Sequence, residues 1–151
     1  MKRRILLVDD DLTVLLTLKA VLELHSFDVT TASSAAEGME KLSSGVYQLV
    51  ITDARMETED AGLHVIRAAK LQPYNPATAL LTAYPPADGS WKDHGAQSVL
   101  VKPIGTQDLV RQIEALLVRH EDEKRLPRPA GDAAGRRRPL TANRASGRKA
   151  C

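Results

Sequence analysis

Residues 4–11 read Arg-Ile-Leu-Leu-Val-Asp-Asp-Asp (RILLVDDD). The apolar run at residues 5–8 is short and does not alternate with polar residues. It has the pattern of a strand buried on both faces, which belongs in a parallel sheet covered by helices. The next segment fits that reading. Leu12–Leu24 places apolar residues at positions 12, 15, 16, 18 and 22, a 3.6-residue period, so the strand passes almost directly into an amphipathic helix. Three aspartates mark the junction.

Working outward, the same alternation recurs. Residues 27–31 read as a second strand. Ser33 or Ser34 caps the next helix, with Glu37 in capping-box position after Ser34, and Gly45 ends it. Residues 47–52 are a third buried strand, and a helix at 63–71 stops before Pro73. Ala77–Thr82 and Ser98–Val101 are two further strands, and 108–120 is a last amphipathic helix. Strands alternating with helices mean βαβ units with right-handed crossovers, hence an α/β, doubly wound parallel sheet of five strands with helices on both faces. Such sheets bind ligands at the carboxyl ends of their strands, near the switch in strand order. Functional residues are therefore expected just after strands.

Composition bounds the alternatives. Of 151 residues, 43% are hydrophobic, yet there is one Phe, one Trp and three Tyr, so the core must rest on Leu, Val, Ile and Ala. The single cysteine, Cys151, excludes an internal disulfide framework and a cysteine zinc site, and reads as a solvated thiol. The start MKRRILLVDD has too short an apolar run for a signal core, and no stretch approaches the roughly 20 apolar residues of a membrane span. A cytoplasmic protein without membrane association is expected. Residues 1–120 carry 12 Lys/Arg against 15 Asp/Glu, and residues 121–151 carry 9 against 4. From Pro127 the chain is rich in Pro, Gly, Ala and Arg and has no periodicity. The expected organisation is a domain at 1–122 and a basic, disordered tail at 123–151. No internal repeat is present.

The residues after the strands carry the chemistry. The first strand ends in Asp9, Asp10 and Asp11, the third in Asp53, the fourth in Thr82, the fifth in Lys102 and Pro103. Carboxylates gathered with few cations repel one another, and a hard divalent ion with oxygen ligands, such as Mg²⁺, relieves that. A lysine and a hydroxyl nearby suit an incoming phosphoryl group, whose transfer needs neutralised charge and alignment. Taken singly, each residue has a plainer reading. The aspartates make a solvated turn with Asp11 capping the helix, Thr82 is a β-branched strand residue, and Lys102 is a surface charge. Their joint order is what points to a site. A Rossmann-type nucleotide enzyme would want a glycine-rich turn where this chain has aspartates.

Four segments, RILLVDDD, LVITDARM, ALLTAY and LVKPI, resemble in order the signatures of the response-regulator receiver domain, over residues 3 to about 120. The resemblance implies a chemotaxis-regulator-like, flavodoxin-like sheet of order 2-1-3-4-5 in a single-domain protein. It implies Asp53 as phosphoacceptor, and Mg²⁺ held by Asp10, Asp53 and the Arg55 carbonyl, with Asp9 acting through water. Thr82 and Lys102 would contact the phosphoryl group, and Pro103 would follow a cis bond. The donor would be a sensor histidine kinase or histidine phosphotransfer protein, with slow self-hydrolysis afterwards. Beyond that self-phosphorylation, no enzyme activity is implied.

The chain departs from the family in four places. Val99 stands where relatives carry an aromatic switch residue, so the usual coupling to Thr82 is not expected. Residues 83–94, with Pro85, Pro86 and Gly89, resist the regular fourth helix of relatives, and a remnant is expected there. Trp91 within it is either a hydrophobic plug or an exposed partner anchor. After Asp53, Met56 is followed by Glu57, Thr58, Glu59, Asp60, Ala61 and Gly62. The loop has lost a proline and is one residue longer, and its acids either repel a donor or form a solvated loop. Arg55 and Tyr84 occupy positions that tune hydrolysis in relatives, and groups this large imply a long-lived phosphorylated state. For output, the leading expectation is a stand-alone switch that binds a downstream protein partner or relays phosphate, as a monomer or weak dimer. The alternatives are a pseudo-receiver used for docking, and nucleic-acid or acidic-partner binding through Arg136, Arg137, Arg138, Arg144, Arg148 and Lys149.

Overall fold

In the computed structural model residues 2–85 and 89–125 are described. Pro86, the arginine-rich tail beyond residue 125 and Cys151 lie outside the described residues. The elements are β1 (Arg3–Val8), α1 (Leu12–Leu24), β2 (Phe27–Ala32), α2 (Ala35–Ser44), β3 (Leu49–Asp53), α3 (Ala61–Lys70), β4 (Ala77–Thr82), a 3₁₀ turn (Ser90–His94), β5 (Ser98–Val101) and α4 (Thr106–Arg125). The five strands are all parallel, in the order β2-β1-β3-β4-β5. The fold class expected from the sequence is the one found.

The period-two geometry of the strands divides the core between the two faces. Ile5, Leu7, Leu49, Ile51, Ala79 and Leu81 pack with α1 and with Leu109, Ile113, Leu116 and Leu117 of α4. On the other face Leu6, Val8 and Val50 pack with α2 and α3 through Leu42, Val65 and Ala69. A third, smaller cluster of Ile66, Leu80 and Ala96 lies beside β4 and β5, with Trp91 and Val99 against it. Removing a fully buried side chain of this size from water contributes about 1.5–3 kcal/mol, so most of the stability rests on the first two clusters.

Local chemistry fixes the joints. Asp11 accepts the Thr13 and Val14 N–H groups at 2.9 and 3.3 Å and caps α1. Ser34, rather than Ser33, caps α2 by accepting from the Glu37 N–H at 3.1 Å, while the Glu37 carboxylate returns to the Ser33 N–H and hydroxyl. Some expected boundaries move. β3 begins at Leu49 because Tyr47 is buried without joining the ladder, under the Arg4 guanidinium and against the Tyr74 ring. The chain divides into two units, Met1–Arg119 and His120–Cys151. α4 runs on to Arg125 instead of stopping at residue 120, since Glu121, Lys124 and Arg125 are good helix formers and the pairs Glu121–Lys124 and Asp122–Arg125 stand at i,i+3 spacing.

Between β4 and β5 the described residues form no regular helix but a five-residue 3₁₀ turn, flanked by Gly89 and Gly95 in left-handed conformation at φ 70° and 97°. None of its residues is buried. It is tied to the rest by Arg67 of α3, whose guanidinium lies 2.7 Å from His94 Nδ1, and by Thr78, whose hydroxyl donates to the Gly95 carbonyl at 2.8 Å. Among the described residues no helix is long and apolar enough to cross a membrane.

Candidate functional site

The sheet order places the switch point between β1 and β3, and the strand register sets the residues there side by side. Val8 pairs with Thr52, so Asp9 and Asp53 are the next residues along the two neighbouring strands. One strand further, Asp53 pairs with Leu81, one residue before Thr82. Thr82 in turn pairs with Val101, one residue before Lys102. Four residues widely separated in sequence thus reach one edge of the sheet because each follows or ends a buried parallel strand.

The geometry there is tight. Asp9 is fully buried and Asp53 is 8% exposed. Carboxylate oxygens of Asp9, Asp10 and Asp53 all lie within 4.8 Å of one another. The Lys102 ammonium is 3.1 Å from Asp9 Oδ2 and 3.5 Å from Asp53 Oδ1. Asp9 Oδ1 accepts the Asp11 N–H at 2.9 Å, whereas Asp9 Oδ2 is buried without a hydrogen bond, the ammonium being close to it only as a charge. Burial, then the charge of Asp9, push the Asp53 carboxyl up to about 6, against the pull of Lys102 and the Arg55 backbone N–H. Burial alone would lower the Lys102 ammonium, but Asp9 and then Asp53 outweigh it and hold its pKa above the ordinary lysine value.

Three carboxylates around one ammonium leave two negative charges unmatched, and one buried oxygen lacks a donor. Both features fit a hard divalent cation with oxygen ligands.

A profile of the response regulator receiver domain matches residues 5–114. The chain belongs to this family. The receiver is 34% identical over 141 residues to the alginate biosynthesis transcriptional regulatory protein AlgB of Pseudomonas putida, covering 86% of this chain and 31% of that protein. It is 35% identical over 124 residues to the transcriptional regulatory protein BasR of Escherichia coli, covering 80% of this chain and 54% of that one. It therefore spans a third to a half of the length of these relatives. Among solved structures, a CheY-like receiver domain protein from Methanospirillum hungatei JF-1 superposes with a TM-score of 0.74 at 29% identity, covering 82% of this chain and 99% of that one. Chemotaxis protein CheY4 of Vibrio cholerae, at 21% identity and a TM-score of 0.72, covering 77% and 99%, shares the fold. Receivers are phosphorylation-dependent switches of two-component signalling rather than classical enzymes, and they bind Mg²⁺ at an acidic site like the Asp9, Asp10 and Asp53 cluster.

The other residues singled out from sequence fall in two groups. Arg55 and Tyr84 are exposed and, with Thr82, line a cavity of about 190 Å³ that also touches Ala54, Leu80 and Trp91. Val99 and Trp91 both pack against the small third cluster, so Trp91 is a plug on its inner side. The Lys102–Pro103 bond is cis.

Two residues of this receiver have roles that sequence reading missed. Glu57 is not merely solvated. Its carboxylate accepts the Ala35 N–H at 3.1 and 3.3 Å, joining the loop after Asp53 to the start of α2, where a negative charge is favoured. Gly62 approaches the backbone below Asp53 so closely that a Cβ there would lie 2.2 Å from the Asp53 carbonyl oxygen, and its N–H donates to the Ala54 carbonyl at 3.0 Å.

Proposed function

We propose that Asp53 is the phosphoacceptor of this receiver and takes its phosphoryl group from a phosphohistidine on a sensor kinase or phosphotransfer protein. The observation that carries the reading is the Asp9–Lys102–Asp53 arrangement, two buried carboxylates bridged by one ammonium at 3.1 and 3.5 Å with Asp10 beside them. Nothing in a mere docking surface calls for it.

In the reaction an Asp53 carboxylate oxygen forms a bond to phosphorus as the phosphorus–nitrogen bond breaks, and the electron pair leaves with the imidazole. Asp10, Asp53 and the Arg55 carbonyl would hold Mg²⁺, with Asp9 reaching it through water. When bound, the ion supplies charge neutralisation for the phosphoryl oxygens. Lys102, already between the two carboxylates, pairs with the added phosphoryl charge, and the Thr82 hydroxyl donates to one of its oxygens. These groups act by position and charge, which is what phosphoryl transfer requires. Arg55 and Tyr84 at the cavity mouth obstruct an attacking water, so the acyl phosphate is long-lived. The signal passes to a protein partner.

The test is intact mass after incubation with acetyl phosphate and Mg²⁺, for the wild type and Asp53→Asn. One phosphate adduct is expected that depends on Mg²⁺ and is absent from the variant. A folded wild-type protein that gains no adduct would replace this reading with a docking role. After removal of the donor, the same time course gives the lifetime, and decay within seconds would refute the shielding by Arg55 and Tyr84.

A further inference from the structure

The loop between β3 and α3, residues 54–60, contains neither glycine nor proline, and most of its residues are exposed. Ala54 is fixed at its base, its N–H donating to the Leu81 carbonyl and its carbonyl accepting from the Gly62 N–H, both at 3.0 Å. Further out the bonds are local. The Met56 N–H donates to the Thr58 carbonyl at 3.1 Å, and the Thr58 hydroxyl to Asp60 at 2.7 Å. The Arg55 N–H donates to the Asp53 carboxylate, so the site keeps its shape only if this part of the loop keeps its place. Glu57 is what reaches across. Its carboxylate accepts the Ala35 N–H at 3.1 and 3.3 Å, a charge-assisted bond at the positive end of α2.

The start of α2 is itself tied to the site. The Ala32 carbonyl, three residues before Ala35, accepts the Asp9 N–H at 3.1 Å. A closed circuit results, through Asp9, Ala32, Ala35, Glu57, Arg55 and Asp53, with β1 and β3 paired behind it. Glu57 closes that circuit across 22 residues of sequence. Without it the outer loop is left to its local turn and to the packing of Met56 on the second cluster. We infer that Glu57 is a positioning residue of the phosphoryl-transfer site: by tying the loop to α2 it fixes where the Arg55 carbonyl stands, and so sets the affinity for Mg²⁺. The inference rests on the Mg²⁺ set proposed above, Asp10, Asp53 and the Arg55 carbonyl.

The link can be cut from either end. Glu57→Ala removes the acceptor. Ala35→Pro removes the donor and leaves every charge in place. Proline has no N–H and suits the first turn of a helix, and Ser34 before it is already extended at φ −154° and ψ 162°. Mg²⁺ affinity is read from the rise of the urea midpoint with Mg²⁺ in the absence of a phosphoryl donor, and again from the Mg²⁺ dependence of acetyl-phosphate labelling. Each variant should bind Mg²⁺ roughly tenfold more weakly by both readouts. The double variant should be no weaker than either alone, and labelling at saturating Mg²⁺ should stay near the wild-type rate. Glu57→Gln, which keeps an acceptor without the charge, should recover part of the loss. Glu59→Ala, which removes the same charge two residues on, should lose less than about twofold. The Glu57 and Glu59 variants decide the matter by themselves if Ala35→Pro does not fold. A merely structural role would lower the midpoint without Mg²⁺ and leave its dependence on Mg²⁺ unchanged. That outcome, an equal loss in Glu59→Ala, or losses that add in the double variant would overturn the inference alone. A wild type with no Mg²⁺ dependence in either readout would remove the Mg²⁺ reading of the site and this inference with it.

Discussion

The β1–β3 side and the β4–β5 side of the sheet end in different ways. At the first, loops return on the sheet with no slack. Gly62 sits against the Asp53 backbone, Glu57 caps α2, and Asp9 and Asp53 are buried around Lys102. At the second, the described residues form a 3₁₀ turn with no buried residue, none of them lies near the missing Cβ of Gly89, and the local cluster has three buried apolar residues among them. The chemistry needs fixed positions and the output needs movement.

The largest expected effect lies on the tight side. In Gly62→Ala the added methyl would fall 2.2 Å from the Asp53 carbonyl oxygen and 2.7 Å from the Ala54 Cα. Neither is a side chain that can turn away, so α3 or the loop after Asp53 must shift. A loss of about 3 kcal/mol is expected in urea unfolding, with slower acetyl-phosphate labelling of whatever remains folded. A loss below about 1 kcal/mol would mean that this loop has slack after all.

A smaller effect, of opposite sign, comes from the buried charge. The folded Asp53 carboxyl titrates at about 6 rather than 3.8, so the native state prefers its proton. The resulting stability is present below the unfolded value and is lost as pH rises from about 4 to about 6, beyond which the ionised group is a constant cost. Asp53→Asn removes that cost. With Mg²⁺ chelated, the variant should exceed the wild type by about 1–2 kcal/mol at pH 7, a figure discounted for solvent at the sheet edge. The difference should shrink toward pH 4, and adding Mg²⁺ should favour the wild type. A gain that does not vary with pH would show that Asp53 is not a strained carboxylate.

The sheet was legible because buried parallel strands are apolar runs, and the site because each chemical residue follows such a run. Asp11 as a helix cap could be read locally for the same reason. What escaped depends on distance along the chain. Glu57 caps a helix 22 residues away. The need for Gly62 is set by backbone from another strand, and Tyr47 is buried by rings and a guanidinium rather than by a ladder. None of these leaves a periodic trace. The short 3₁₀ turn before β5 did leave one, since Pro85, Pro86 and Gly89 are written in the sequence.

The smallest expected effect completes the contrast between the two sides. Gly89 has φ 70° and open space around it. Gly89→Ala therefore meets no clash and costs only the left-handed backbone penalty of about 1 kcal/mol. Asparagine, which tolerates that conformation better, should cost less. Because the 3₁₀ turn contributes no buried residue, neither change should alter the rate of phosphate labelling at Asp53, measured by intact mass. The same kind of substitution, glycine to alanine, would then be severe where the backbone closes on Asp53 and mild where the chain carries Trp91. If Gly89→Ala slowed labelling as much as Gly62→Ala, the two sides would be one rigid unit, and the division between fixed chemistry and movable output would fail.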